Sequence, residues 1–287
     1  MALWFSETAS SGHRLEWKVR RVLYTGRSRF QDIAVLETEA FGPTLVLDGI
    51  LQTTAGDEFI YHEMMALVPL SAHPAPERVL IIGGGDGGLA REVLRCPWVQ
   101  RVTLVEIDPE VVEVSKRYLP GHAVSFADPR LEVLFRDGAQ FVEQLDPQDR
   151  YDVILVDSTD PEGEGPGRLL YAPPFRRAVA RALAEGGIFV QQTGTPFYNP
   201  ETVRDVAEDS LAVFPLAKVY WCIVPTYPGG LFTFIAASKG PDPAVPRRTV
   251  DWPTRWYNAT VHRASFALPP LLAELLPPAM RAGAAGL

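Results

Sequence analysis

Val79-Leu80-Ile81-Ile82-Gly83-Gly84-Gly85-Asp86-Gly87-Gly88-Leu89-Ala90-Arg91-Glu92-Val93 is an apolar run that breaks into glycines and resumes as a helix-forming stretch. The first four residues have the unbroken apolar character of a strand buried on both faces. The glycines then fit a G-x-G-x-x-G fingerprint in the context it requires, after a strand and before a helix. A second strand, Val102-Thr103-Leu104-Val105-Glu106-Ile107-Asp108, ends in acids about 20 residues further on, where such folds grip ribose hydroxyls. Asp86 argues against a dinucleotide. A carboxylate at the helix N-terminus repels a pyrophosphate, and it equally repels the carboxylate of a methionine tail. A nucleoside with a cationic tail fits.

A third segment strengthens this reading. Tyr151-Asp152-Val153-Ile154-Leu155-Val156-Asp157-Ser158-Thr159-Asp160-Pro161 runs an apolar strand into two carboxylates three residues apart, in a turn closed by proline. Ligands of open α/β sheets bind beyond the carboxyl ends of the strands. Asp157 and Asp160 are thus expected in a pocket that receives a cation. The alternative is a strand end capped by solvated acids.

Outward from these segments, strands are expected near 79–82, 102–107, 131–134, 152–157, 187–192 and 218–224. Helices are expected near 88–95, 109–118, 138–145, 173–184 and 201–213. Such alternation implies a doubly wound, mostly parallel sheet of Rossmann-like, methyltransferase type. A last strand at 231–237 follows Tyr227-Pro228-Gly229-Gly230 closely enough to be an antiparallel partner, and 252–276 reads as short helices covering an edge. Upstream, alternation at 17–24, 32–36 and 44–47 predicts a small antiparallel β domain, with a hairpin at Asp48-Gly49 leading into 50–54. Asp57 is positioned to cap an amphipathic helix over 58–70, which ends before a proline-containing linker. The expected domains are 1–54, a helix and linker over 55–77, and a catalytic unit over 78–287.

The 287-residue chain carries a formal charge of −8, which excludes the basic footprint of a nucleic-acid binder. Cys96 and Cys222 follow no metal spacing and read as buried thiols of a reducing, cytoplasmic compartment. The N-terminus lacks a secretory pattern, and no apolar window is long enough to span a membrane.

These residues resemble the polyamine aminopropyltransferases, the spermidine synthase family. The resemblance covers nearly the whole chain. It takes in Leu47-Asp48-Gly49, Gln52-Thr53-Thr54, Asp57-Glu58-Phe59-Ile60-Tyr61-His62-Glu63-Met64, the glycine loop, Val105-Glu106-Ile107-Asp108 and Asp157-Ser158-Thr159-Asp160-Pro161. Pro225-Thr226-Tyr227, Tyr257-Asn258, His262 and Phe266-Ala267-Leu268-Pro269 extend it. The family moves an aminopropyl group from decarboxylated S-adenosylmethionine to a polyamine such as putrescine, giving spermidine and methylthioadenosine. The donor is a co-substrate, and no cofactor or metal is implied.

By this resemblance, Gln31 and Glu106 hold the donor's ribose and tail region, Asp137 and Gly138 reach its adenine, and Asp86 binds the aminopropyl ammonium. Gln52, Gly83, Gly85 and Pro166 complete the donor set. Tyr61, His62, Ser158, Asp160 and Tyr227 line the acceptor channel with Asp86 and Asp157, and Asp157 is the catalytic base, with Tyr61 or Ser158 as its hydrogen-bond partner. A homodimer or homotetramer is implied. The departures are a lid, Glu162-Gly163-Glu164-Gly165-Pro166-Gly167-Arg168, about two residues longer than usual, Phe175-Arg176 in place of an aromatic pair, and Ala259 where proline is common. Putrescine, agmatine, cadaverine and triamines all remain open as acceptors. Three rival functions are a methyltransferase using intact S-adenosylmethionine, a non-catalytic polyamine binder and a nicotinamide oxidoreductase.

Overall fold

The computed structural model describes residues 2–8, 12–161 and 166–281. Most of the expected lid, 162–165, and the end of the tail, 282–287, lie outside them. Five antiparallel strands open the chain: β1 (Leu3–Thr8), β2 (Arg14–Arg27), β3 (Asp32–Thr38), β4 (Gly42–Leu47) and β5 (Ile50–Thr54), in that spatial order. The expected hairpin at Asp48-Gly49 is present, both residues having positive φ, as a two-residue type I′ turn demands. Sequence alternation missed β1.

Seven strands form the second sheet: β6 (Arg78–Gly83), β7 (Arg101–Glu106), β8 (Leu131–Phe135), β9 (Tyr151–Asp157), β10 (Leu183–Gly194), β11 (Leu216–Ile223) and β12 (Leu231–Ser238). Their order is β11-β12-β10-β9-β6-β7-β8, and β12 alone runs opposite to the other six. The helices are α1 (Glu58–Ala72), α2 (Gly88–Leu94), α3 (Pro109–Tyr118), α4 (Pro120–Ala123), α5 (Gly138–Glu143), α6 (Pro173–Ala182) and α7 (Pro200–Val213), with α8 (Ala259–Ala264), α9 (Pro270–Leu275) and α10 (Pro278–Arg281) after the sheet. Val79 and Ile81 pack toward α1 and α2, whereas Leu80 and Ile82 pack toward α5, α6 and α7. Both faces of β6 are thus covered, which explains its unbroken apolar sequence. The N-terminal sheet leans on the second unit through Ile33, Val35, Leu45 and Leu47, which cluster with Val111 and Val114 of α3.

Chain order reverses between β6 and β9, so the crevice beyond their carboxyl ends is the topological switch point of the sheet. Gly83 pairs in register with Asp157 there, and Gly84 N–H donates to the Asp157 carbonyl at 2.9 Å. Gly83 has φ +81°, and a Cβ on it would lie 2.1 Å from the Asp157 carbonyl oxygen. Only glycine permits this approach.

Helix α1 departs from expectation. It is buried along nearly its whole length, with Phe59 the one partly exposed residue. It is therefore a central helix, covered by the sheet, by α2 and by the C-terminal segment, where an amphipathic helix was expected. Asp57 does not cap it by side chain. Its carboxylate instead accepts from Thr54 Oγ1 at 2.6 Å and from Thr226 N and Oγ1 at 2.9 and 2.8 Å, tying β5 to the turn after β11. Glu63, 1% exposed, accepts three consecutive backbone N–H groups, those of Arg255, Trp256 and Tyr257, each at 2.8 Å. Cys96 and Cys222 are free and buried. Among the described residues no helix is long and apolar enough to cross a membrane.

Removing the Glu63 carboxylate strands three backbone donors, of which that of Tyr257 is buried, while Trp256 is half-buried and Arg255 exposed. An unsatisfied buried group costs about 1–3 kcal/mol, so Glu63→Ala is expected to lower unfolding free energy by about 1–3 kcal/mol. Urea melts of the two proteins check this.

Candidate active site

The switch-point crevice opens into a cavity of about 560 Å³, within the range of small-molecule sites. It is lined from both sheets, and among the described residues no lysine or arginine lines it. Gln31, Gln52, Gly83, Gly85, Asp86, Glu106, Asp137 and Gly138 of the expected donor set all reach it. So do Tyr61, His62, Asp157, Ser158, Asp160 and Tyr227. Pro166 begins a 3-10 turn, Pro166–Tyr171, but its side chain lies outside the described residues.

One end of the cavity is built on β7. Glu106 accepts from the backbone N–H groups of Asp108 (2.9 Å), Ile107 and Gly85. Burial outweighs these bonds and raises its carboxyl to about 7. Gln31 donates through Nε2 to Asp108 Oδ2 at 2.9 Å, while Asp108 Oδ1 caps α3 by accepting from Glu110 N. Asp137 caps α5, with Oδ1 accepting from Gln140 N at 2.9 Å. The Gln52 carbonyl accepts from Tyr227 Oη at 2.7 Å, which ties β5 to the turn after β11.

The centre of the cavity is charged. Asp157 Oδ1 accepts from Tyr61 Oη at 2.8 Å, and its Oδ2 is buried with no hydrogen-bond partner in the protein. Of the two partners expected for Asp157, Tyr61 makes the bond; no hydrogen bond joins Ser158 to this carboxylate. Burial and the Asp157 charge push the Tyr61 phenol well above its usual range, so it remains a donor. Burial likewise raises Asp157, to about 6, although the His62 charge and the Tyr61 bond pull the other way.

Asp86 sits at the start of α2, where its Oδ1 accepts from Gly88 N at 2.6 Å. Its Oδ2 lies 3.8 Å from His62 Nε2, and His62 Nδ1 is bonded to Glu58 Oε2 at 2.5 Å. A Cβ on Gly88 would lie 2.3 Å from His62 Cε1, so the last fingerprint glycine makes room for this imidazole. Burial alone would discharge His62, but Asp86 and Glu58 together raise it to about 9. Burial also works against ionised Glu58, yet His62 and Arg91, whose Nη2 donates at 2.8 Å, hold it well below the usual carboxylate range. His62, Asp86 and Asp157 offer donor atoms within 4.8 Å of one another, a grouping able to seat a cation. Positions so far apart in the chain carry no ligand spacing, and the sequence reading expected no metal.

Asp160 lies at the other end, its Oδ1 accepting from Gln192 Nε2 at 2.8 Å. Tyr61, Tyr227 and Phe232 form an aromatic wall between the acids, with ring centroids 4.8–6.1 Å apart. Gln192, Glu7, His13 and Tyr198 also line the cavity and were missed by sequence reasoning. Gln191-Gln192 directly after apolar Ile188–Val190 was an available signal, since a polar pair ending a buried strand faces the crevice. Glu58, four residues before His62, was another.

The description "Spermine/spermidine synthase domain" matches residues 58–247, and "Spermidine synthase tetramerisation domain" matches residues 3–55. This chain belongs to the spermine/spermidine synthase family. The polyamine aminopropyltransferase of Desulforudis audaxviator is 45% identical over 96% of this chain and 99% of its own. That of Bacillus subtilis is 44% identical over 96% and 99%. A crystal structure of spermidine synthase in complex with the transition-state analogue AdoDATO superposes with a TM-score of 0.91 at 40% identity, covering 95% of this chain and 94% of that one. Spermidine synthase from Thermotoga maritima gives 0.88 at 38% identity, covering 95% and 93%. The expected fold, a small antiparallel domain before a mostly parallel Rossmann-like sheet, is that of these synthases.

His62 is expected to titrate near 9 by imidazole NMR, and Glu58→Gln to bring that midpoint down by removing an attractive charge and an acceptor. Because the folded value lies above the ordinary 6.5, the imidazolium stabilises the fold fully below about 6.5, and this contribution is lost as pH rises through about 9. The stability difference between the parent and His62→Asn should shrink over that interval in denaturant titrations.

Proposed function

We propose that this protein transfers the aminopropyl group of decarboxylated S-adenosylmethionine to putrescine or a related amine. The observation that carries this reading is the orphaned Oδ2 of Asp157 beside Asp86, in a cavity that no lysine or arginine lines among the described residues. Such a site suits two cationic substrates. Glu106 and Gln31 face the donor's ribose and tail, Asp137 and Gly138 its adenine, and Asp86 its terminal ammonium. The acceptor lies along Tyr61, Tyr227 and Asp160.

A primary amine is protonated near neutrality, with a pKa of about 10.4. Asp157 accepts a proton from the acceptor nitrogen, freeing its lone pair. That nitrogen attacks the methylene carbon next to the sulfonium. The new C–N bond forms as the C–S bond breaks, and its electron pair passes to sulfur, releasing neutral methylthioadenosine. The sulfonium is already activated, so holding the two substrates in line supplies most of the acceleration. Tyr61 fixes Asp157, and the His62 charge favours the ionised form of Asp157. The tetramerisation-domain match supports assembly of several copies through the N-terminal sheet, where Leu3, Trp4 and Val22 are exposed.

Asp157→Asn keeps the shape and removes the acceptor. Methylthioadenosine release should fall by about 10²–10⁴-fold while donor binding by calorimetry holds. In the parent, kcat/KM should rise with pH through about 6. Tyr61→Phe removes a bond that lowers the Asp157 pKa and should move this limb upward. A variant at Asp157 retaining half of parental turnover at pH 7.5 would overturn the assignment.

Asp86→Asn should weaken the decarboxylated donor by roughly ten- to a hundredfold, the worth of one charged hydrogen bond. It should also narrow discrimination against intact S-adenosylmethionine, since repulsion of the carboxylate disappears. Calorimetric titration with both nucleosides checks both effects.

A further inference from the structure

The cavity does not end at Asp160. Beyond it stand two residues of the N-terminal unit, Glu7 of β1 and His13, facing Tyr198 and Asn199 from the loop between β10 and α7. The His13 ring stacks on Tyr198, with centroids 4.1 Å apart and planes inclined by 29°. Glu7 is 4% exposed and its Oε2 accepts from Leu51 N at 2.9 Å, which anchors the strand leading to His13. Its carboxyl feels both His13 and Asp160 electrostatically, so the three groups share one end of the cavity.

We propose that the His13–Tyr198 stack is the end wall of the acceptor channel and sets the length of amine that the enzyme accepts. This rests on the aminopropyltransferase reading. Two flat rings in contact close a channel more tightly than flexible side chains, because little rotamer freedom is left to yield to a longer ligand. The chemistry of the wall acts in the same sense. Asp157, Asp86 and Asp160 attract ammonium groups along the channel, whereas the ring pair that closes it carries no carboxylate, and Glu7 beside it is already engaged by Leu51 N–H. A diamine is accommodated between the reacting end and Asp160. A triamine must displace the stack. Acceptor choice is thereby placed partly in the N-terminal unit, away from the sheet that holds the reacting atoms.

The test compares kcat/KM for putrescine, cadaverine and spermidine in the parent, His13→Ala and His13→Phe, with donor Kd as the control for an intact site. His13→Ala should raise the spermidine-to-putrescine ratio by roughly tenfold or more, the scale on which pocket walls discriminate by chain length. His13→Phe restores a stacking ring and should leave the ratio within about threefold of the parent. An unchanged ratio in His13→Ala, or equal changes in both variants, would overturn the wall. Calorimetric binding of putrescine and spermidine in the presence of methylthioadenosine tests the same wall without turnover. If no amine yields methylthioadenosine in the parent, the transferase reading fails, whereas the wall fails only if these binding preferences are also unmoved by His13→Ala.

Discussion

A backbone hydrogen bond from Gly84 N–H to the Asp157 carbonyl closes the end of the ladder between the two strands on which the site depends. It forms at the place where strand order reverses, and it brings the glycine loop within van der Waals distance of the turn that follows β9. Any side chain at residue 83 would push these strands apart. The loop would then no longer present Asp86, and Asp157 would lose its position opposite Tyr61. Chemistry in this protein is therefore held by a main-chain contact on the scale of a single methyl group, not by the side chains that carry it out.

The acids of the chain divide by how their oxygens are satisfied. Asp57, Glu63 and Asp108 are almost fully buried and accept bonds that tie distant segments together. Glu58 is committed to His62 and Arg91. Asp157 alone among these retains a buried oxygen without a protein partner. Burying a carboxylate is costly unless it is paired, so an unpaired one is tolerated where a cationic ligand completes it. The His62 imidazolium limits the repulsion between Asp86 and Asp157 and lets an acid-rich cavity remain folded.

Much of the fold could be read from the chain because its strands are buried on both faces and its helices alternate with them. The glycine loop and Asp157-Ser158-Thr159-Asp160-Pro161 fall at strand ends, where fold logic places ligands. Contacts between units were less legible. β1 is short, and Trp4 and Leu3 are exposed, so Glu7 shows no pattern that marks it as a cavity residue. Asp57 has the sequence position of a helix cap, but two threonines, one of them 169 positions away, outcompete the helix for its oxygens. The burial of α1 was hidden for a similar reason. What covers its outer face arrives from residues 255–257, far along the chain.

Tyr61, His62 and Glu63 are consecutive on α1, yet they serve the substrate cavity, the buried ion pairs and the C-terminal shell. Successive helical residues are turned by about 100° from one another, so the three commitments fix the rotational phase of the helix. The helix has no slack to spend. Lengthening or shortening the chain by one residue between Asp57 and Tyr61 would turn all three side chains away together, and no repacking of one neighbour could restore more than one of them. Variation in this enzyme is thus channelled toward substitutions and loop lengths elsewhere, while the register of this single helix is held by three unrelated parts of the molecule at once.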